Sequence, residues 1–214
     1  MARPRVGLLG GTFDPVHNGH LFLALEAMHA AQLERVILIP NRVPPHKAAP
    51  GVGTEDRWRM LQAAIETEPR LEASRIELDR EGPSYTLDTV QALSSDYQLT
   101  FICGADAFRA SWHRPEAVLE LLDGVVMAHR FGVPPGLPPL LAQLPEPLRR
   151  KVYHLEFPDI AISSTDLRQR IAEGRPIRYL VPETVYQEIF QHGLYTIRPA
   201  LGEGAERPDE KASR

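Results

Sequence analysis

Residues 6–39 read VGLLGGTFDPVHNGHLFLALEAMHAAQLERVILI, and this stretch decides the fold. Val6 to Leu9 is a short apolar run of the kind a buried strand makes. Gly10 and Gly11 end it and open a loop. From Gly19 to about Gln32 the chain is rich in Leu and Ala, with Leu21, Leu25 and Met28 at helical spacing, which predicts a helix. Arg35 to Ile39 is a second apolar run, stopped by Pro40. Strand, loop, helix and strand in that order make a βαβ unit, with a right-handed crossover and parallel strands.

The same alternation continues outward. Asn41 to Gly53 holds three prolines and two glycines and predicts a loop, with Pro44 and Pro45 stiffening its middle and Gly51 and Gly53 freeing its end. Such a segment could close over a ligand and carry Lys47 to it. Thr54 is expected to cap a helix that contains Arg57, Met60, Leu61 and Ile65. Leu71 to Leu78 alternates like a strand, Ser84 to Leu93 reads as a short helix, and Leu99 to Cys103 reads as a strand ended by Gly104. Val118 to Leu122 belongs to a helix, Gly124 to Ala128 and Lys151 to Glu156 to strands, and Ser164 to Ala172 and Pro182 to Gln191 to helices. Strands alternating with helices predict the α/β class, with a doubly wound, mainly parallel sheet in three layers. One domain is expected over residues 1–198. Phe131 to Pro139 (FGVPPGLPP) is expected as a flexible loop, and 199–214, polar and without periodicity, as a disordered tail.

The bulk properties set bounds. With 214 residues and 43% apolar content the chain can build a core. A formal net charge of −4 argues against a general nucleic-acid binder. The single cysteine, Cys103, cannot form an internal disulfide, which suits a reducing compartment. The N-terminus shows no signal-peptide pattern, and no apolar run approaches the ~20 residues that span a bilayer. A cytoplasmic protein with no nucleic-acid or membrane partner is expected. Homo-oligomerisation is left open.

Ligands of such sheets bind beyond the carboxyl ends of the strands, which selects the loops after Ile39, after Cys103 and before Ser164 and, first in the chain, the loop after Leu9. That loop, Gly10 to His20, reads GGTFDPVHNGH. Its glycines let the backbone approach a ligand, and the helix start near Gly19 favours an anion. His17 and His20, three residues apart, can face one spot there and each donate to a phosphate oxygen. The loop is neither a Walker A sequence nor a Gly-x-Gly-x-x-Gly fingerprint. Zinc ligation is the alternative use of two histidines, but nothing nearby completes a tetrahedral set. A second cluster, Ile162 to Arg168 (ISSTDLR), carries the serines and threonine of a helix start. Arg168 lies one turn in, where its guanidinium can reach a phosphate.

These two motifs together resemble the nucleotidyltransferase superfamily with a His-x-x-His signature in its first loop. PPHK (Pro44 to Lys47), PSYTLDT (Pro83 to Thr89), GADAF (Gly104 to Phe108) with Trp112, and YLVPETV (Tyr179 to Val185) extend the likeness to nicotinate-nucleotide adenylyltransferases, in order from about residue 5 to 195. The resemblance implies a Rossmann-like nucleotidyltransferase fold and transfer of AMP from ATP to nicotinate mononucleotide, in NAD biosynthesis. It implies that His17, His20 and Arg168 act on the reacting phosphates. Gly10, Gly11, Thr12, Phe13, Gly104, Ile162, Ser164 and Thr165 would line the ATP site, and Asp106 would take the ATP ribose. Asn41, His46, Lys47, Tyr85, Thr86 and Trp112 would hold the mononucleotide, Lys47 at its phosphate and Thr86 and Trp112 at its ring.

The nucleophile would be a phosphate already ionised at neutral pH, so no general base is required. Positioning and charge stabilisation are the main demands of such a transfer. Mg²⁺ would enter with the ATP phosphates and water, and no protein residue is assigned to it. The N–H groups at the helix start near Tyr85 and Thr86 suit the nicotinate carboxylate, with nicotinamide mononucleotide as a secondary substrate. The rivals are a sister adenylyltransferase that acts on phosphopantetheine and a non-catalytic nucleotide-binding regulator. The segments around Thr86 and Trp112 argue against the first, and the intact histidine pair with Arg168 against the second.

Overall fold

Parallel strands between two helical layers must bury both faces, and the apolar runs of this chain do so. The computed structural model describes residues 2–43, 49–104, 113–130, 142–158 and 160–196. Loop 131–139 and tail 199–214 lie outside them. The strands are β1 (Arg5–Gly11), β2 (Arg35–Pro40), β3 (Leu71–Ala73), β4 (Gln98–Gly104), β5 (Gly124–Arg130) and β6 (Val152–Phe157). They form one sheet in the order β3-β2-β1-β4-β5-β6, with every neighbouring pair parallel. This is the strand order of the doubly wound Rossmann sheet.

The helices are α1 (Asn18–Ala30), α2 (Thr54–Ile65), α3 (Thr86–Leu93), α4 (Pro115–Leu121), α5 (Glu146–Arg149), α6 (Ser164–Ala172) and α7 (Glu183–Gln191). Side chains alternate across each strand and so sort into two cores. On one face Leu9, Val36, Leu38, Ile102 and Val126 join Met28 of α1, Met60 and Leu61 of α2, Leu167 of α6 and Val185 and Ile189 of α7. On the other face Val6, Leu8, Ile37, Ile39, Leu99, Cys103, Val125 and Met127 join Leu87 and Val90 of α3 and Val118 and Leu119 of α4. The three layers follow. No helix among the described residues is long and apolar enough to cross a membrane.

Some expected boundaries move, for local reasons. The strand expected over Leu71 to Leu78 stops at Ala73. Val36 N–H donates to Arg70 O (2.9 Å), so alternate β2 residues face β3, and the next but one in that series is Pro40, which has no N–H to continue the ladder. The chain turns there, with Ile76 N–H on Ser74 Oγ (3.3 Å) and Asp79 N–H on Arg75 O (2.9 Å). Thr54 is the first residue of α2 and Gly53 its N-cap, so Thr54 makes no cap. Ser84 stands outside α3, because its N–H donates to Val43 O and its hydroxyl accepts from Arg42 N–H, both at 3.1 Å. The helix starts two residues later, at Thr86.

Gly7 of β1 lies on the α1 face. A Cβ there would sit 2.7 Å from Ile102 Cδ1, 2.9 Å from Leu33 Cδ1 and 3.0 Å from Val36 Cγ2. Gly7→Ala is therefore expected to cost about 1–3 kcal/mol through overpacking. Thermal unfolding should show its Tm several degrees below that of Gly10→Ala, whose Cβ meets none of the described residues within 4 Å.

Candidate active site

The chain leaves β1 for β2 and β3 on one side and returns to β4 on the other, so the sheet reverses its winding between β1 and β4. Crevices at such reversals receive ligands. Leu9 pairs with Ile102, which sets Gly10 and Gly104 at adjoining strand ends. A Cβ at Gly10 or Gly104 would meet none of the described residues within 4 Å.

His17 and His20 stand at the start of α1. His17 is the N-cap, one residue before the helix proper, and its ring stacks on His20 with centroids 3.6 Å apart and planes 23° off parallel. His17 N–H donates to His20 Nδ1 (3.2 Å), and His20 N–H donates to His17 O (2.9 Å). Because Nδ1 of His20 accepts, the neutral ring carries its proton on Nε2. The buried Phe13, at φ 49°, meets the His20 ring edge-on at 5.0 Å. Gly19 makes room for the stack, since a Cβ there would lie 3.1 Å from His17 Nδ1. His17 is buried, its Nδ1 has no partner among the described residues, and desolvation lowers its pKa to about 4. It is a neutral imidazole at neutral pH. The first turn of α1 carries no acidic residue, so the positive end of the helix dipole is left for an anion.

The loop that carries the pair is held by Asp14, a buried carboxylate. Its Oδ2 accepts from Gly51 N–H (2.7 Å) and its Oδ1 from the Tyr195 hydroxyl (2.8 Å). Arg168 Nη1 lies 3.4 Å from Oδ2 and donates to the Asp14 carbonyl at 2.7 Å. The buried Arg57 of α2 donates to Thr12 O (2.8 Å). Burial lowers the Arg57 pKa, while Asp14 and Tyr195 favour its charge. The Tyr195 hydroxyl is held far above the usual phenol value, by burial first and then by the Asp14 carboxylate.

The second cluster docks on this same loop. Ser163 caps α6 by accepting from Asp166 N–H, and Ser164 Oγ donates to Pro15 O (2.9 Å). Arg168 Nη2 reaches Thr165 Oγ1 (3.4 Å), and Thr165 itself is exposed. Ile162 packs against the core on that side. The structure thus brings together Gly10, Gly11, Thr12, Phe13, His17, His20, Ser164 and Arg168. Asn41 joins them from the end of β2, with its N–H on Gly11 O (2.9 Å). Tyr85 is the N-cap of α3 and Thr86 its first residue; the Tyr85 side chain makes no cap bond, and Asp88 stands in the first turn. His46, Lys47, Asp106 and Trp112 lie outside the described residues.

Sequence reasoning missed Asp14, Arg57, Tyr195 and Gly51 as a network. One signal was available: Arg57 shares an inward helical stripe with Met60 and Leu61, and an arginine buried there needs a partner. Glu77 and Thr89, discussed below, gave no such signal. Cys103 is buried with its thiol pushed up to about 12, so it is no nucleophile.

A family model described as cytidylyltransferase-like matches residues 8–170. The probable nicotinate-nucleotide adenylyltransferase of Acidothermus cellulolyticus is 42% identical over 207 residues, which is 90% of this chain and 95% of that one. Its namesake from Thermus thermophilus is 42% identical over 196 residues, covering 89% and 99%. Among solved structures, the Plasmodium falciparum nicotinic acid mononucleotide adenylyltransferase complexed with NaAD matches with a TM-score of 0.66 over 90% of this chain and 97% of that one. At 18% identity that likeness speaks for the fold.

The buried His17 makes stability depend on pH. Its folded pKa of about 4 is below the unfolded value of 6.5, so the unfolded chain binds the extra proton between the two. Stability is full above 6.5 and falls as pH drops toward 4. Denaturant unfolding at pH 7 and pH 5 should differ by about 2 kcal/mol from this group. His17→Gln should lose that part of the difference.

Proposed function

We propose the function from the premise that the chain belongs to the cytidylyltransferase-like family and, within it, to the nicotinate-nucleotide adenylyltransferases. It transfers the adenylyl group of ATP to the phosphate of nicotinate mononucleotide, giving nicotinate adenine dinucleotide and pyrophosphate in NAD biosynthesis. The observation that carries this reading is the stacked histidine pair at the N-terminus of α1, whose first turn holds no acidic residue, beside Gly10 at the end of β1.

In the reaction a phosphate oxygen of the mononucleotide bonds to the α-phosphorus of ATP. The bond from that phosphorus to the bridging oxygen breaks, and pyrophosphate leaves with the electron pair. No proton need be removed from the nucleophile. The protein brings the anions together and stabilises charge that grows on the leaving group. Nε2–H of His20 and the N–H groups of the first turn of α1 are the donors for that task. His17 serves as a neutral imidazole that backs His20. Gly10, Gly11, Thr12, Phe13, Gly104, Asp106, Ile162, Ser164 and Thr165 are read as the ATP side. Asn41, His46, Lys47, Tyr85, Thr86 and Trp112 are read as the mononucleotide side. The N–H groups of the first turn of α3, to which the Tyr85 side chain makes no cap bond, suit the nicotinate carboxylate.

Arg168 has two parts in this reading. It anchors α6 to Asp14, and its guanidinium, one-third exposed, adds positive charge near the phosphates. Mg²⁺ belongs here as an ion carried by the ATP phosphates. Asp14, the carboxylate next to the pair in the loop, already has both oxygens engaged by Gly51, Tyr195 and Arg168. No step is therefore routed through a protein-held cation.

Pyrophosphate release, followed with ATP and either mononucleotide, tests the reading. The nicotinate form should exceed the nicotinamide form at least ~10-fold in kcat/KM, because the amide leaves one helix-start donor unpaired and brings no anion to the dipole. His20→Ala should stay folded, with its Tm lowered by the lost cap on the His17 N–H, and lose ~10²–10³ in kcat. No turnover with either pyridine mononucleotide would overturn the assignment. Equal efficiency would overturn the nicotinate preference alone.

A further inference from the structure

Glu77 is a buried carboxylate with no ion-pair partner among the described residues, and the reaction outlined above makes no use of it. Each of its oxygens receives one short hydrogen bond. Asn41 Nδ2 donates to Oε2 at 2.7 Å, and Thr89 Oγ1 donates to Oε1 at 2.7 Å. Thr89 Oγ1 in turn accepts from Arg80 Nη2 (3.3 Å), which also reaches Tyr85 O (3.5 Å), the carbonyl of the α3 N-cap. Arg42 completes the wall, with its Nη1 on Arg80 O (3.1 Å) and its N–H on Ser84 Oγ (3.1 Å). One carboxylate therefore connects the residue that follows β2 with the helix whose start is read as the base end of the pocket.

We infer that Glu77 is a positioning residue for the mononucleotide, acting through Asn41 and through Thr89 at the start of α3. The chemistry of the group requires one orientation. An ionised carboxylate only accepts, so Asn41 must turn its NH₂ toward it. The Asn41 carbonyl is thereby set on the opposite branch of the amide, as an acceptor for a hydroxyl of the substrate. The Asn41 backbone is already fixed, since its N–H bonds to Gly11 O, so the side-chain orientation is the remaining freedom and Glu77 removes it. Preorganised side chains of this kind bind without the cost of ordering on arrival. A neutral amide in place of Glu77 could offer Asn41 either a donor or an acceptor, and the single orientation would be lost. The inference rests on the mononucleotide reading of Asn41, Tyr85 and Thr86 given above.

The test is steady-state pyrophosphate release by Glu77→Gln, varying each substrate in turn, with Thr89→Val and Asn41→Ala alongside. Glu77→Gln should raise KM for nicotinate mononucleotide ~10-fold, the worth of one lost hydrogen bond, while KM for ATP and kcat stay within ~3-fold. Thr89→Val, which keeps the charge and removes one donor, should move the same KM in the same direction by less. Adding Asn41→Ala to Glu77→Gln should give little further rise, because both changes remove the same contact. A folded Glu77→Gln that changes both KM values alike, or neither, would overturn the positioning role. So would full additivity with Asn41→Ala. A wild-type enzyme that turns over no pyridine mononucleotide would instead remove the functional reading, and this inference with it. Should Glu77→Gln not fold, the Thr89→Val split between the two KM values decides: a rise confined to the mononucleotide supports the role, and an equal or absent change overturns it.

Discussion

A carboxylate taken out of water has to be paired or it will not stay charged, and the buried Asp14 meets that requirement with groups from three parts of the chain. Gly51 comes from the segment before α2, Arg168 from α6 and Tyr195 from the segment after α7. Arg57 reaches the loop through Thr12 O rather than through the carboxylate, yet its charge lies in the same buried region. Sheet topology alone brings the strand ends together. This network gives the loop between them one conformation, and Phe13, at φ 49°, is held there in a region that bulky side chains seldom occupy.

The histidine pair inherits its geometry from that loop. With Phe13 below His20 and Gly19 clearing space for His17, the two rings have little choice but to stack. Burial then keeps His17 neutral. A neutral imidazole stacked on the second ring avoids like-charge repulsion within the pair, and the positive end of the α1 dipole beside it carries no acidic residue. A comparable arrangement stands beyond the end of β2, where the buried Glu77 accepts from Asn41 and Thr89 as Asp14 accepts from Gly51 and Tyr195. In both places a buried carboxylate collects hydrogen bonds from separate parts of the chain.

How much of this was legible in the sequence depends on the range of each interaction. The βαβ unit of residues 6–39 announced itself because strand and helix periods are local, and the parallel sheet followed from repetition of that pattern. The site loop was legible for the same reason: Gly10, Gly11, His17 and His20 are close in sequence as well as in space. Strand β3 was overread, because alternation over Leu71 to Leu78 says nothing about the missing N–H of Pro40 on the neighbouring strand. The cap assigned to Thr54 and the helix start assigned to Ser84 failed similarly, the second through hydrogen bonds to Arg42 and Val43. Arg168 was placed at the phosphates from its position on α6, but its bonds to Asp14 span 154 residues and could not be read from spacing. Tyr195 and Glu77 were invisible for the same reason.

Asp14 sets the geometry on which the site depends, and Asp14→Asn puts that dependence to the test. The amide keeps the shape but removes the charge that Arg57 and Arg168 face, and it puts a donor where Gly51 or Tyr195 needs an acceptor. Stability from denaturant unfolding and kcat/KM for pyrophosphate release would be measured on the same preparation, under conditions where the variant is fully folded. The variant should lose about 2–5 kcal/mol in stability, together with a fall in kcat/KM that persists in the folded protein. A variant with wild-type stability and wild-type kcat/KM would contradict it.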